Sequence, residues 1–389
     1  MNLPQYFVLH MGARMGYAVP TFFARNQMLA KLCTDAHSGD WLGSVAGYVK
    51  ERFAWARRLS GRNLPAFIDP NKVGAFPLST ALARTLGCHP DHLINWLILR
   101  QGFAGANAVY SFSFGDRKVL EMAKRQGLKV VFEQVISPRT AEIVDQERLA
   151  FPGIEKRQKS SNDRAYVKAH QVIWNLADRI LSPSRFVTQG IEDLDGPIDR
   201  VREVQYGVSD HWFKITNRPL KGRIVSVGTP SLRKGTHYLA EAARLLKRHR
   251  GDYEFRVLGT CPDNFRSCGL FDGISFTGPL TRPEVMSEFR MADLFVLPTL
   301  CEGSSTAHLE ALAAGVPVVT TFECGSVIRD GIEGRIVPAR SAKVLASTIE
   351  QVVQDRTVRA MMAEQARQTA QRYTWSQYEA RLLKACGEL

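Results

Sequence analysis

From Arg223 onward the chain repeats one unit: a short, strongly apolar run that stops at glycine or proline, then a stretch of helical periodicity. Residues 223–227 close on Gly228, 253–258 on Gly259, 274–276 on Gly278 and 294–297 on Pro298, while 316–320 follow Gly315. Helical patterns lie between them at 237–248, at 282–291 with Pro283 in the first turn, and at 307–314. Strands this apolar leave no face for water. Helices must cover both sides, so the alternation predicts an α/β fold with a parallel sheet. Helices at 342–354, 358–373 and 375–383 follow.

The first half carries the same signal more faintly. Residues 6–9 read as a buried strand running into a loop with Gly12 and Gly16, then a helix over 20–32. A Rossmann-like unit begins in this way, although the glycine spacing is GxxxG and not GxGxxG. Further strands are expected at 108–112, 129–134 and 179–182, and helices at 140–149, 166–177 and 185–192, the last capped by Ser184. The polar run 155–164 reads as an exposed loop or a helix start. From Val201 the chain passes through Tyr206-Gly207 and Asn217-Arg218-Pro219, a turn-rich linker. At 389 residues two domains are expected. They are 1–205, completed by a C-terminal helix in 374–389, and 206–373.

Charge and cysteine usage narrow the class. Fifty-one Lys/Arg against 38 Asp/Glu give +13. Residues 1–205 hold 27 and 19 of these (+8), and residues 206–389 hold 24 and 19 (+5). Such a surplus attracts nucleoside diphosphates, anionic head groups or nucleic acid, and it equally fits a basic proteome with no such partner. No interleaving of basic and aromatic residues supports nucleic acid. The seven cysteines form no CxxC pair, which argues against a disulfide framework and a zinc site and fits a reducing cytosol. The N-terminus lacks a signal-peptide pattern, and the most apolar window, 93–99, is short and broken by Asn95. A cytoplasmic protein is expected, with any membrane contact peripheral, at the inner face.

The most informative stretch is 301–319, CEGSSTAHLEALAAGVPVV. A strand ends at Pro298, a loop carries Glu302 and Gly303, and a helix follows Ser304, Ser305 and Thr306. Free N–H groups at a helix start, with the positive end of its dipole, form an anion site. Glu302 precedes the helix and Glu310 lies about two turns in, separated by roughly 10–12 Å. Two acceptor carboxylates flanking anion donors match a nucleotide sugar, which offers hydroxyls at both ends of a diphosphate. Taken alone, each Glu also reads as a dipole partner or a solvated residue. Glu310, however, sits among Leu309, Ala311, Leu312 and Ala313, in a helix apolar enough to be buried.

The E-x7-E pattern followed by AAGVPVV resembles the donor signature of family-4 glycosyltransferases, which have the GT-B fold. That resemblance implies two Rossmann-like domains facing across a cleft, with Glu302 against the transferred sugar and Glu310 on the ribose. The segment 224–235, IVSVGTPSLRKG, is similar to the family's strand–loop with Lys-Gly at a helix start. It implies that Gly228 and Thr229 line the donor and that Lys234 neutralises the diphosphate. Thr229 stands where the family has Arg, and Arg233 is the available substitute. Phe276-Thr277-Gly278-Pro279-Leu280 is similar to the strand end where backbone at Leu280 meets the base. Residues 177–184 and Tyr206-Gly207-Val208 with Phe213 are similar to segments closing the first domain and joining the two, Ser209 standing where Asp is usual. On the acceptor side the family's His has no counterpart. Ser137 occupies about its place, and His10 and Gly16, in or beside the first loop, are the alternatives.

The resemblance implies a retaining glycosyltransferase that needs no metal ion or other cofactor. The leaving phosphate can accept the acceptor's proton, so no enzymatic base is required. The expected partners are a nucleotide sugar, a glycan, lipid-linked or small-molecule acceptor, and an anionic membrane, with no nucleic acid. The setting is cell-surface polysaccharide or glycoconjugate synthesis. The competing expectations are a sugar-nucleotide epimerase or phosphorylase of the same fold, and a non-catalytic nucleotide-sugar- or glycan-binding subunit.

Overall fold

The computed structural model describes residues 3–50, 52–79, 82, 91–156, 163–249 and 252–387. Two sheets carry the chain, and every strand pair in them is parallel. The first contains β1 (Tyr6–Leu9), β2 (Leu29–Thr34), β3 (Val73–Ala75), β4 (Ala108–Ser111), β5 (Lys129–Glu133), β6 (Arg179–Ser182) and β7 (Val201–Glu203), in the order β3-β2-β1-β4-β5-β6-β7. The second contains β8 (Arg223–Val227), β9 (Glu254–Leu258), β10 (Ile274–Phe276), β11 (Leu294–Leu297), β12 (Val318–Thr320) and β13 (Gly334–Ile336), in the order β10-β9-β8-β11-β12-β13.

Helices cover both sheets. In the first half they are α1 (Ala18–Arg25), α2 (Trp41–Val49), α3 (Ala54–Ser60), α4 (Asp91–Gln101), α5 (Arg117–Arg125), α6 (Thr140–Ala150), α7 (Asp163–Leu176) and α8 (Arg185–Glu192). In the second half they are α9 (Thr236–His249), α10 (Arg282–Met291), α11 (Thr306–Ala313), α12 (Ala342–Gln354) and α13 (Arg356–Ala370), followed by α14 (Trp375–Gly387). The result is an α/β fold of two Rossmann-like units facing across a cleft, the GT-B arrangement. Each strand order reverses direction once, between β1 and β4 and between β8 and β11. Open parallel sheets bind ligands beyond the strand carboxyl ends at such reversals, because neighbouring loops there diverge and leave a crevice.

The apolar strands are buried as their composition demands: every residue of β1, β4, β6 and β11 is buried. One core continues through the crossover between the units, with Tyr206, Trp212 and Tyr378 each at most 3% exposed. The crossover runs beside the return of the chain. Val208 N donates to Tyr373 O at 2.8 Å and accepts at its carbonyl from Trp375 N at 3.2 Å. A Cβ on Gly207 would lie 2.9 Å from Thr374 O, so this approach needs glycine. Helix α14 then packs on α1, with the Phe22 ring 5.4 Å from that of Tyr378 and Tyr6 Oη donating to Cys386 O at 2.8 Å.

Several expectations are corrected. The helix anticipated over 20–32 ends at Arg25, and Leu29–Thr34 is strand β2. Asn26 and Gln27, the latter at φ 58°, turn the chain between them. An apolar run reads the same in a buried helix and a buried strand, and this turn carries no glycine or proline. The linker anticipated from Val201 begins with β7, a three-residue edge strand with too little pattern to read. The strand expected at 316–320 starts at Val318, because Val316 N closes the end of α11 on Ala311 O and Pro317 has no N–H to pair. Residues 157–162 of the polar run and Cys88 lie outside the described residues.

Candidate active site

The second reversal brings two loops together. The loop after β8 starts at Gly228 (φ 122°), where a Cβ would lie 2.9 Å from Lys234 Cε and Nζ. Glycine therefore makes room for the Lys234 side chain to fold back over the strand end. At Gly235 (φ 66°) a Cβ would fall 1.9 Å from Pro298 O, so the loop presses backbone against the end of β11. Arg233 O accepts from Leu300 N at 2.8 Å and Thr299 Oγ1 at 2.9 Å. The two loops are thus strapped side by side, and their charges meet.

Glu302 Oε1 receives Lys234 Nζ at 3.0 Å and lies 2.9 Å from Arg233 Nη1, which also donates to Cys301 O at 2.6 Å. Burial pushes the Glu302 carboxyl up, but the two cations and their hydrogen bonds outweigh it and hold it below the usual carboxylate range. The cluster keeps one positive charge in excess. Both cations engage Oε1, and Oε2 takes part in none of these contacts. Next to it, the buried Ser304 hydroxyl has no hydrogen-bond partner, and Ser305, the N-cap of α11, makes no side-chain bond to its helix. A helix start left uncapped beside two cations is suited to an anion.

Gly303 serves the seam between the units. A Cβ there would lie 1.8 Å from Val135 O, and Gly303 O accepts from Ser184 Oγ at 2.5 Å. Because 303–305 run irregularly and α11 starts at Thr306, Glu310 lies little more than one turn into the helix and not two.

Glu310 and Thr306 line a cavity of about 550 Å³ with Met15 and Gly16 of the β1–α1 loop, Ser209 and His211 of the crossover, and Arg282 of α10. Burial raises the Glu310 carboxyl to about 7, with Arg282 opposing. His211 bonds Ser209 Oγ at 2.6 Å and Arg282 Nη1 at 3.2 Å. Thr229 is exposed at the loop start, and Leu280 packs against the core. Among the described residues no three His, Cys, Asp or Glu converge as metal ligands.

The candidate acceptor residues differ in exposure. Gly16 is exposed at the cavity wall, between Met15 (φ 50°) and Tyr17 (φ 61°), both left-handed. His10 is 1% exposed, wedged between Tyr17 and Phe112, with neither ring nitrogen in a well-formed hydrogen bond. Burial, then the Arg14 charge, lowers it to about 3, so it is neutral near pH 7. Ser137 is buried too: its hydroxyl accepts from Arg139 N at 3.3 Å and packs where a Gly190 Cβ would be.

The sequence reading missed two polar clusters. Arg14 donates to Tyr206 Oη at 2.5 Å, and Tyr206 Oη donates to Glu133 at 2.7 Å, with Tyr110 on the other carboxylate oxygen. An acid closing the apolar run of β5 was the available signal. Glu147 of α6, 2% exposed, holds His237 and Tyr238 of α9 at 3.1 Å each, and Arg340. A Glu in a charged amphipathic helix gives no such signal.

Residues 209–369 match the family Glycosyl transferases group 1, so the second half carries a domain of that family. The chain is similar to a D-inositol 3-phosphate glycosyltransferase of Paenarthrobacter aurescens, 30% identical over 45% of this chain and 48% of that protein. It is also similar to an alpha-D-kanosaminyltransferase of Streptomyces kanamyceticus, 27% identical over 44% and 49%. The chain spans about half the length of these curated relatives. Its fold is that of Anabaena HepE, solved with UDP and glucose, at a TM-score of 0.66, 13% identity and coverage of 99% of this chain and 100% of that one.

Proposed function

We propose that the chain is a retaining glycosyltransferase of family 4 that transfers a sugar from a nucleoside diphosphate without a metal ion. One observation carries this: at the β8/β11 reversal, Lys234 and Arg233 share one oxygen of Glu302 beside an uncapped helix start and the unpartnered Ser304 hydroxyl. A diphosphate placed there meets fixed donors and a net positive charge. The ribose reaches Glu310 in the adjoining cavity, and a sugar hydroxyl donates to Glu302 Oε2.

As the bond from the anomeric carbon to the phosphate oxygen breaks, negative charge grows on the leaving diphosphate. Fixed cations then bind the transition state more tightly than the ground state. The acceptor oxygen bonds to the anomeric carbon on the face being vacated. Its proton passes to the leaving phosphate oxygen, which leaves no task for the buried His10. The acceptor is a glycan, a lipid-linked sugar or a small molecule, in cell-surface polysaccharide or glycoconjugate synthesis. The protein works at the inner face of the membrane as a peripheral partner; among the described residues no helix is long and apolar enough to cross.

Calorimetry with a panel of nucleoside diphosphates and nucleotide sugars, starting from UDP-glucose, tests the donor site. One donor should bind, and Lys234→Ala and Glu310→Ala should each weaken it about ten- to a hundredfold, the loss of one charge-assisted contact. No binding to any donor, or equal binding by all three proteins, would sink the assignment. Thr229 in place of a cation favours a second reading, a binding subunit. Tight donor binding without turnover on any acceptor would select it. Full activity in a metal chelator is expected, and loss of activity there would refute metal independence.

A further inference from the structure

We propose that α2 and α3 form a docking surface for an anionic lipid bilayer. The observation is a helix apolar on both faces with only one of them covered. The inner face of α2 buries Leu42 and Ala46 against Ala56 and Leu59 of α3 in a small separate core. Its outer stripe is Trp41, Val45 and Tyr48, at i, i+4 and i+7, which are 49%, 47% and 91% exposed. α2 contains no charged residue. Phe53 and Trp55 extend the surface, both exposed, with their rings stacked at 6.4 Å. A helix apolar all round belongs in a core or against lipid, and among the described residues the outer stripe stays exposed.

Charge selects the occupant. Residues 41–68 contain five Lys/Arg and one Glu, and with Arg62 paired to Asp35 the segment keeps a surplus of +3. Lys50, Arg52 and Arg57 are exposed around the aromatic stripe. Tryptophan and tyrosine rings settle at head-group depth, and basic side chains beside them reach lipid phosphates. Nine residues span only about 13 Å, so α2 would lie along the surface and not across it.

The hairpin formed by α2 and α3 is inserted after β2, on the carboxyl edge of the first sheet. Arg62, just beyond α3, pairs with Asp35 at 2.7 Å, and Asp35 accepts from Gly12 N at 2.8 Å, in the loop that continues to Met15 and Gly16 at the Glu310 cavity. A bilayer held there lies on the side of the first unit that faces the cleft. This extends the peripheral contact proposed above by naming its surface. Its test needs neither donor nor acceptor, so it succeeds or fails apart from the transfer reaction.

The test is sedimentation with vesicles of phosphatidylglycerol and phosphatidylcholine, against vesicles of phosphatidylcholine alone, with brominated lipid as a quencher of tryptophan. Wild type should bind the anionic vesicles, more weakly as salt rises, with its fluorescence quenched. Replacing the exposed aromatics together (W41S, Y48S, W55S) should cut partitioning at least about tenfold, and K50E, R52E, R57E should abolish the preference for anionic lipid. These side chains are exposed, so thermal melts and nucleotide binding should stay at wild-type values and certify the fold. The proposal is overturned if wild type ignores anionic vesicles or if both variants bind like wild type. It is also overturned if the aromatic variant abolishes a dimer in sedimentation velocity while vesicle binding persists, which would make the stripe a contact between copies.

Discussion

The Glu310 carboxyl, raised by burial to about 7, changes charge within the range where enzymes work. Ribose hydroxyls donate more strongly to a carboxylate than to a neutral acid. The sign follows: donor affinity should rise with pH and level off above about 7. Well below 7 it should fall about tenfold per pH unit, as the ionised fraction does. A nucleotide sugar has no terminal phosphate monoester titrating nearby, so the slope belongs to the protein. Calorimetry across this range should show the slope in wild type and lose it in Glu310→Gln; the same slope in both proteins would remove Glu310 from the contact. Stability runs the other way. With the folded value raised above the unfolded one, the advantage is complete below about 4.5 and is lost as pH rises through about 7. The two glutamates were legible because a carboxylate in an apolar, small-residue helix start needs a reason. Their opposite environments were not. Only the fold shows that Glu302 meets two cations while Glu310 shares a cavity with Arg282.

At the level of elements, the loop after β8 works through its two glycines. Gly235 at φ 66°, with a Cβ 1.9 Å from Pro298 O, can accept a side chain only if the loop lifts off the end of β11. Gly235→Ala should therefore cost about 2 kcal/mol or more and also displace Lys234, weakening donor binding. Gly228→Ala meets only the far end of the Lys234 side chain, at an unfavourable φ of 122°. It should cost about 1 kcal/mol yet weaken the donor comparably. Thermal melts with calorimetry separate the two, and a Gly235→Ala protein with wild-type melting and binding would show that the strap does not place Lys234. Strands closing on glycine were easy to read, since turn chemistry and apolar burial agree there. The three-residue edge strands β3, β7 and β13 were not, because too few side chains alternate to make a pattern. Helix α2 was missed for a related reason: its outer face is apolar, so the usual amphipathic contrast is absent.

At the scale of the whole molecule, the seam between the units is also held by Glu147. Its carboxyl sits in α6, while His237, Tyr238 and Arg340 come from the second unit. The same stretch continues across: Ile154 is part of the second unit's core, and Glu155 accepts from Leu232 N at 2.7 Å. Burial pushes Glu147 up, but the hydrogen bonds from His237, Arg340 and Tyr238 outweigh it and hold it below its ordinary range. The stabilisation it provides is therefore present above the unfolded value near 4.5 and lost as pH falls through the lower folded value. Removing one member of a buried charged cluster costs about 3–5 kcal/mol, mostly by stranding its partners. Besides the core that runs through the crossover, each sheet has a further core on one unit alone, so the loss should appear first as opening between the units and only second as unfolding. Glu147→Ala should enlarge the radius of gyration in X-ray scattering without donor, and raise the donor KM more than it lowers kcat. Added donor should pull the scattering back toward wild type, since binding across the cleft favours the closed form. If the variant melts earlier with unchanged scattering, Glu147 supports the fold of one unit and the clamp lies elsewhere, with Ser184 on Gly303 O as the next contact to remove.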